Sequence, residues 1–359
     1  MDGIDVACIH TDGVSGVKRG ANGFYPYSAE TRKLLAQALD DAKFVKNRDD
    51  RPGVLNNVED TIDMLHCEAV RDFLSQNNMQ ADDVNVIGYH GQTVLHRPDD
   101  ALTVQLGQGQ VLANELGINV VSDMRAEDMR NGGQGAPLVP VYHQALVASL
   151  PSSYDAKLPV VFVNIGGISN VTYVGEELIA FDSGPGNALI DQWVQAHVGI
   201  PYDQGGVIAS EGQVRIDLAK EMLAAPYFEA PLPKSLDRSD FRLPSSDWAN
   251  VEDGARTLAY VCAGAVIKCT DYLPKAPRLW IICGGGRLNP HIMNDLAELA
   301  AQSGSQVVSA DDVGLDGDSM EAEAWGYLAV RSIAQLPLTF PGTTGCKHPV
   351  TGGILSRAR

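Results

Sequence analysis

Residues 160–191 read VVFVNIGGISNVTYVGEELIAFDSGPGNALID, and their pattern decides the fold. Val160 to Ile165 is a nearly unbroken apolar run rich in β-branched residues, which reads as a buried strand. Gly166-Gly167 turns the chain, and Ile168 to Val174 runs back as a second strand. Ile179 to Phe181 is a third short strand. Asp182-Ser183-Gly184-Pro185-Gly186-Asn187 then opens a helix over Ala188 to Val198. Further on, Leu279 to Cys283 is another buried strand, ending in Gly284-Gly285-Gly286. Helices are expected over Val251 to Thr270, Pro290 to Gln302 and Ser319 to Ile333.

The first half follows the same logic. Strands are expected at Ile4 to Ile9, Val84 to Tyr89, Leu102 to Leu106 and Ile118 to Ser122, with a polar interruption over His90 to Pro98. Helices are expected at Ser28 to Asp41, from an Asn57 N-cap to Leu74, at Gln108 to Leu116 with Gly117 closing it, and at Leu138 to Leu150. Strands alternating with helices in both halves predict an α/β protein, helices covering a mixed sheet in each of two lobes. The lobes are read as 1–150 and 151–336, split near Pro151-Ser152-Ser153, with an irregular tail over 337–359 whose return to the first lobe stays open.

Composition narrows the partners. The 359 residues hold 45 acidic and 27 basic side chains, a formal charge of −18. That opposes general affinity for nucleic acid or anionic membrane, which need Lys/Arg clusters. It leaves room for a small anion gripped by backbone N–H groups. No apolar run is long enough to span a bilayer, and the acidic N-terminus is no signal peptide. Six scattered cysteines without a C-x-x-C pair read as buried, reduced thiols of a cytoplasmic protein. The eight histidines form no tight ligand cluster.

Three glycine-rich turns follow strands. Gly166 and Gly167 can form a phosphate nest or an ordinary hairpin. In the next turn Asp182 can hold Mg²⁺ through water ahead of a helix N-terminus, or simply cap the helix. Gly284-Gly285-Gly286 is neither a Rossmann fingerprint nor a Walker A loop. Together the three point to nucleoside triphosphate binding. Between Asp123 and Pro140, charged residues of both signs precede Gly132-Gly133-Gln134-Gly135. A carboxylate there can act as a general base, and Arg125 can pair with a substrate anion. His90, Gln92 and His96 add polar groups after another strand.

The motifs resemble those of the anhydro-N-acetylmuramic acid kinases, in the sugar kinase, Hsp70 and actin superfamily. The matching segments include MDGIDVA at 1–7, HGQTVLHRP at 90–98, TVQLGQG at 103–109, DMRAEDMRNGGQGAPLVPVYH at 123–143, NIGGISNVT at 164–172, FDSGPGNALID at 181–191, YDQGG at 202–206, PLPKSLDRSDF at 231–241, CGGGRLNPHIM at 283–293 and DSMEAEAWGYLA at 318–329. They cover nearly the whole chain in order. The resemblance implies a two-lobed actin/hexokinase-like (ribonuclease H-like) fold with a duplicated mixed sheet core and ATP, with Mg²⁺, held between the lobes. It implies that ATP and water convert 1,6-anhydro-N-acetylmuramate to N-acetylmuramate 6-phosphate and ADP, a step in recycling cell-wall amino sugars. A cytoplasmic homodimer is implied as well. By the same resemblance Asp128 is the base that activates water. His90, Gln92, Arg125, Gln134 and Glu321 line the sugar. Asp2, Gly3, Asn164, Gly166, Gly167, Asp182 and Gly184 face the phosphates, Asp182 on the metal, and Gly284, Gly285 and Asn289 face the adenosine.

Three departures from the family pattern stand out. Its Gly- and Ser/Thr-rich phosphate loop ahead of D-G-x-D is cut by Met1, so the reading expects a start about ten residues too late, the length of a strand and loop, and an impaired enzyme. Leu236-Asp237 replaces a Thr-Gly pair, and Arg287-Leu288 replaces smaller residues. The competing readings are a kinase of another sugar on this fold and an ATP-binding protein that has lost activity. The presence of Asp128 and of GGQGAPL favours the enzyme.

Overall fold

The computed structural model describes residues 2–154, 158–236 and 241–359. Met1 and Asp237, on which two of the readings above fall, lie outside them. The chain forms two compact units, Met1–Ser149 with Ser319–Arg359, and Leu150–Asp318.

The second unit is built on one five-stranded mixed sheet. From edge to edge its strands are Gln306–Ser309, Leu279–Cys283, Val160–Ile165, Ile168–Val174 and Leu178–Pro185. The last three form an antiparallel meander. Val160–Ile165 is parallel to Leu279–Cys283, which is parallel to Gln306–Ser309. Counted from the Leu178–Pro185 edge, the strands lie third, second, first, fourth and fifth in chain order, the ribonuclease H-like arrangement. Val161, Val163 and Ile165 pack with Trp193 and Val194 of the helix Ala188–Val198, with Leu258 and Cys262 of Val251–Lys268, and with Ile292 and Leu296 of Pro290–Ala301. Each fully buried large aliphatic side chain there stabilises the unit by about 1.5–3 kcal/mol. The helix 251–268 approaches closely because Gly254 has no side chain. A Cβ there would sit 2.3 Å from the Trp193 ring.

In the first unit the strands form smaller sheets. Gly3–Thr11 pairs antiparallel with Val17–Pro26, and Gln92–Arg97 with Leu102–Leu106. Val120–Ser122 lies between Ile87–Gly88, parallel, and Ile354–Ser356 of the tail, antiparallel. The α/β class therefore holds in both units.

Four differences from the sequence reading have physical causes. Val17–Pro26 was not read as a strand because its inward positions carry few large apolar residues, although alternate residues are half-buried along it. Gln92–Arg97 is a strand and not a polar interruption: Val94 is buried in the core and Leu95 packs against it. The helix expected to start at an Asn57 cap is Leu55–Gln76, one turn earlier, because the Asp41 carboxylate accepts from the Val54 N–H and fixes the entry. Met320–Ile333 groups with the first unit and not with the second. It lies against Gly88, where a Cβ would come 2.0 Å from the Trp325 carbonyl oxygen. Among the described residues no helix is long and apolar enough to cross a membrane.

Candidate functional site

In the first unit several of the residues expected to line the sugar lie around Arg125. Its Nη2 lies 3.2 Å from His90 Nε2, and its Nη1 donates to the Gly135 carbonyl at 3.3 Å. The guanidinium lies over the Trp325 ring at 5.9 Å, and that ring meets the His90 imidazole at a centroid distance of 4.5 Å. Burial, then the adjacent Arg125 charge, pushes His90 down to about 3. The imidazole is thus neutral, and its Nε2 accepts from Arg125. Burial also draws Arg125 below the usual guanidinium value, opposed by the Glu321 charge. Arg125 Nε is buried and has no hydrogen-bond partner among the described residues, a charged donor without an acceptor there. Gln92 lies two residues after His90, and its Nε2 donates to the Thr93 carbonyl at 3.1 Å. Gln134 precedes Gly135, and its N–H donates to the Thr344 carbonyl at 2.8 Å. The structure thus brings Arg125, His90 and Glu321 together, whereas Gln92 and Gln134 are linked to them only as near neighbours in the chain. It also adds Trp325, four residues after Glu321 on the same helix face, where the i, i+4 spacing was a readable signal.

Asp128 has a different setting. Oδ1 accepts from Thr339 Oγ1 at 2.5 Å and from Thr344 Oγ1 at 2.7 Å, while Oδ2 accepts from the Gly135 N–H at 2.7 Å. A Cβ on Gly133 would stand 2.2 Å from Oδ2. The residue is 1% exposed. Three donors already occupy the carboxylate, and no face of it is open to water. This geometry conflicts with the assignment of Asp128 as base and makes it the tie between the Gly-rich loop and the tail. The Glu321 reading also passed over Glu323, which is buried and joined to Arg19 Nε at 2.7 Å and Tyr142 Oη at 2.8 Å. Asp2 and Gly3 also belong to this unit. The Asp2 carbonyl accepts from the Tyr27 N–H at 2.9 Å, and a Cβ on Gly3 would come 2.4 Å from the Tyr25 carbonyl oxygen.

In the second unit the Gly-rich turns pack together. A Cβ on Gly284 would lie 2.4 Å from Asn164 Oδ1, and one on Gly286 would lie 2.2 Å from Ile165. The carbonyls of Gly166 and Gly167 accept from the N–H groups of Gly186, Asn187 and Ala188 at 2.7–3.2 Å. The N–H groups leading into helix Ala188–Val198, as far as Ala188, are therefore used within the protein. The exposed glycines Gly167 and Gly285 are different: their N–H groups donate to no described residue. Asn289 Oδ1 accepts from the His291 N–H at 3.0 Å and caps the helix Pro290–Ala301, so that oxygen already serves the fold. Arg287 folds back over its own turn. It forks onto Asp318 with two 2.8 Å contacts, donates to Asp311 at 2.8 Å and reaches the Gly284 carbonyl at 3.1 Å.

Asp182 lies on the strand Leu178–Pro185. Leu236 N–H donates to its Oδ2 at 2.8 Å, and its other oxygen accepts from no described residue. Burial pushes the carboxyl up to about 6, with the Leu236 N–H pulling the other way. Gly184 follows at φ +156°, where a Cβ would come 2.7 Å from Ala265. Tyr227 and Lys234, which no motif reading singled out, lie beside Asp182. Tyr227 Oη donates to the Asp182 carbonyl at 2.5 Å.

A family model described as anhydro-N-acetylmuramic acid kinase matches residues 1–357. Curated relatives bear the same name. That of Agrobacterium fabrum is 54% identical, over 100% of this chain and 96% of its own. Those of Brucella canis and Rhizobium etli are 53% and 52% identical, over 99% of this chain and 95% of theirs. A solved structure, the activator of the 2-hydroxyisocaproyl-CoA dehydratase from Clostridium difficile with bound ADPNP, is 12% identical, with a TM-score of 0.34 over 64% of this chain and 74% of that one. The chain belongs to the anhydro-N-acetylmuramic acid kinase family, and kinase activity follows from that membership.

Proposed function

We propose that this member of the family phosphorylates 1,6-anhydro-N-acetylmuramic acid with ATP and opens the anhydro ring with water, giving N-acetylmuramic acid 6-phosphate and ADP. Water adds to the anomeric carbon, the C1–O6 bond breaks, and O6 takes the γ-phosphoryl group. The water proton passes to a carboxylate, and the bridge oxygen needs no separate acid because phosphorylation caps it. The product is an amino sugar phosphate, which suits a role in recycling peptidoglycan fragments.

The observation that carries this reading is the contrast between Asp182 and Asp128. A base working near neutral pH needs a free lone pair and an affinity for the proton close to that pH. Among the described residues Asp182 has an oxygen without a partner, and its carboxyl is pushed up to about 6. Asp128 has three donors on it. We therefore assign the base to Asp182 and leave Asp128 as the tie that shapes the sugar loop. Arg125, with its buried unpartnered Nε, is assigned to the lactyl carboxylate of the sugar, with His90, Gln92, Gln134 and Glu321 around it. On the nucleotide side, Gly167 and Gly285 offer N–H groups to the phosphates and adenosine, beside Asn164, Gly166, Gly284 and Asn289.

Kinase Mg²⁺ is held by one or two carboxylates through water together with phosphate oxygens. Among the described residues no three His, Cys, Asp or Glu side chains gather into a metal cage. That donor set fits an ion carried by the nucleotide, which would neutralise charge on its phosphates. Asp182 is kept for the water and given no direct metal bond. An ADP-release assay across 1,6-anhydro sugars tests the proposal. Turnover of the anhydro-N-acetylmuramic acid well above that of the other sugars is expected. Equal turnover of an anhydro sugar lacking the lactyl group would refute the Arg125 assignment.

A further inference from the structure

Among the described residues Lys234 is a buried ammonium without a counter-ion. The residue is 8% exposed, and no described carboxylate pairs with it. Its Nζ instead lies 3.8 Å from the Tyr272 ring centroid, 4.8 Å from that of Tyr227 and 5.5 Å from that of Phe181. It also donates to the Tyr227 carbonyl at 3.4 Å. Burying a charge is costly, and three ring faces recover part of that cost. Burial draws the ammonium below the ordinary lysine value, as this setting requires. A leucine or methionine would fill the same space without the desolvation.

The backbone around Lys234 shows what the cage secures. Residues 227–236 hold Asp182 at three points. Tyr227 Oη donates to the Asp182 carbonyl at 2.5 Å, the Lys234 carbonyl faces the Asp182 N–H at 3.4 Å, and the Leu236 N–H donates to the carboxylate at 2.8 Å. Phe181, one wall of the cage, is the residue before Asp182. The segment has no helix or strand between Glu229 and Leu236 to hold its shape. The ammonium is the group that draws Tyr227, Tyr272 and Phe181 to a common point.

We propose that Lys234 is a positioning residue for the reaction: caged by Tyr227, Tyr272 and Phe181, it pins the 227–236 strap so that the strap aims the Asp182 carboxylate at the attacking water. This rests on the reading of Asp182 as the base. The Lys234 Nζ faces the three rings, so the proposal gives it a positioning role and no substrate contact. Its effect falls on kcat and not on the binding of either substrate. A base displaced by about 1 Å loses up to about a hundredfold in rate.

The test is a double-mutant cycle on the full chain, with kcat and both KM values measured by ADP release. Lys234→Met keeps length and apolar stem but removes the charge. Its kcat is expected to fall about tenfold to a hundredfold, with each KM within about twofold. Lys234→Arg keeps a ring-stacking cation and is expected to recover most of the rate. In an Asp182→Asn background, Lys234→Met is expected to cost nothing further, since the group it aims has lost its basicity. Tyr227→Phe keeps the cage and removes one tie to Asp182, and its kcat is expected to fall severalfold, about three to tenfold. A Lys234→Met enzyme with normal kcat, a loss confined to KM, or the same loss repeated in the Asp182→Asn background overturns the proposal. Should Lys234→Met not fold, unchanged kcat in Tyr227→Phe overturns it. Near-normal turnover of Asp182→Asn alone removes the base reading and this proposal together, whereas a dead Asp182→Asn with a normal Lys234→Met removes only this one.

Discussion

Thr344 Oγ1 donates to Asp128 Oδ1 at 2.7 Å, across 216 residues of chain. With Thr339 and the Gly135 N–H on the same carboxylate, this contact closes the loop 123–137 against the tail. A polar residue in a distinctive motif can thus be a strut, and the distinction is measurable.

Asp128→Asn replaces one acceptor oxygen by a donor, so one of the three N–H or O–H groups loses its partner. Unfolding in urea should show a loss of about 1–3 kcal/mol, the cost of a buried unsatisfied group. The folded variant should keep kcat within about tenfold. A loss of about 10²–10⁴ in kcat at unchanged stability would return the base to Asp128.

Asp182→Asn keeps shape and the hydrogen bond from Leu236 but removes basicity. The expected loss in kcat is about 10²–10⁴, with the KM for ATP nearly unchanged. Steady-state ADP release checks both.

The pH dependence follows from the same group. The base must be ionised, and burial places its carboxyl at about 6. Rate should therefore climb as pH rises through about 6 and level off above it. The neighbouring Cys269 thiol, pushed up to about 12 by burial, does not change charge in that window. Stability moves the other way. Asp182 has a folded value raised above that of an unfolded Asp, so its contribution is full below about 4 and is lost as pH rises through about 6. The melting temperature of Asp182→Asn should then match or exceed that of the wild type at pH 7.5, and the gap should close at pH 4.5. A lower melting temperature for the variant at pH 7.5 contradicts the sign.

Adjacent glycines should separate ligand binding from folding. A Cβ on Gly285 meets only the Asn187 amide, at 3.6 Å, whereas one on Gly286 drives into Ile165 at 2.2 Å. Gly285→Val is expected to fold with a melting temperature near that of the wild type and to lose ATP binding by calorimetry. Gly286→Ala is expected to cost about 1–3 kcal/mol by overpacking. Unchanged nucleotide affinity in Gly285→Val would show that the turn is structural.

Much of the second unit was legible in the sequence. Leu279–Cys283 and Ala188–Val198 fall on the expected residues, because a run of buried β-branched side chains and an apolar stripe at helical spacing are both local signals. The first unit was harder. Val17–Pro26 is half-buried along its length, so its alternation carries little hydrophobic contrast. Gln92–Arg97 carries only the adjacent pair Val94 and Leu95 among polar residues, without the alternation that marks a strand.

The sequence by itself determined the α/β class, the Gly-rich turns after strands, the family, and the residue types that gather on the sugar side. Spacing and composition are local properties, and they survive without coordinates. Tertiary structure alone decided which carboxylate is free. Asp128 and Asp182 sit in equally distinctive motifs. Their difference lies in Thr339 and Thr344, two hundred residues beyond Asp128 in the chain, and in Leu236, 54 residues beyond Asp182. Hydrogen-bond partners brought together by folding set which lone pairs remain open to water, and no window of sequence contains them.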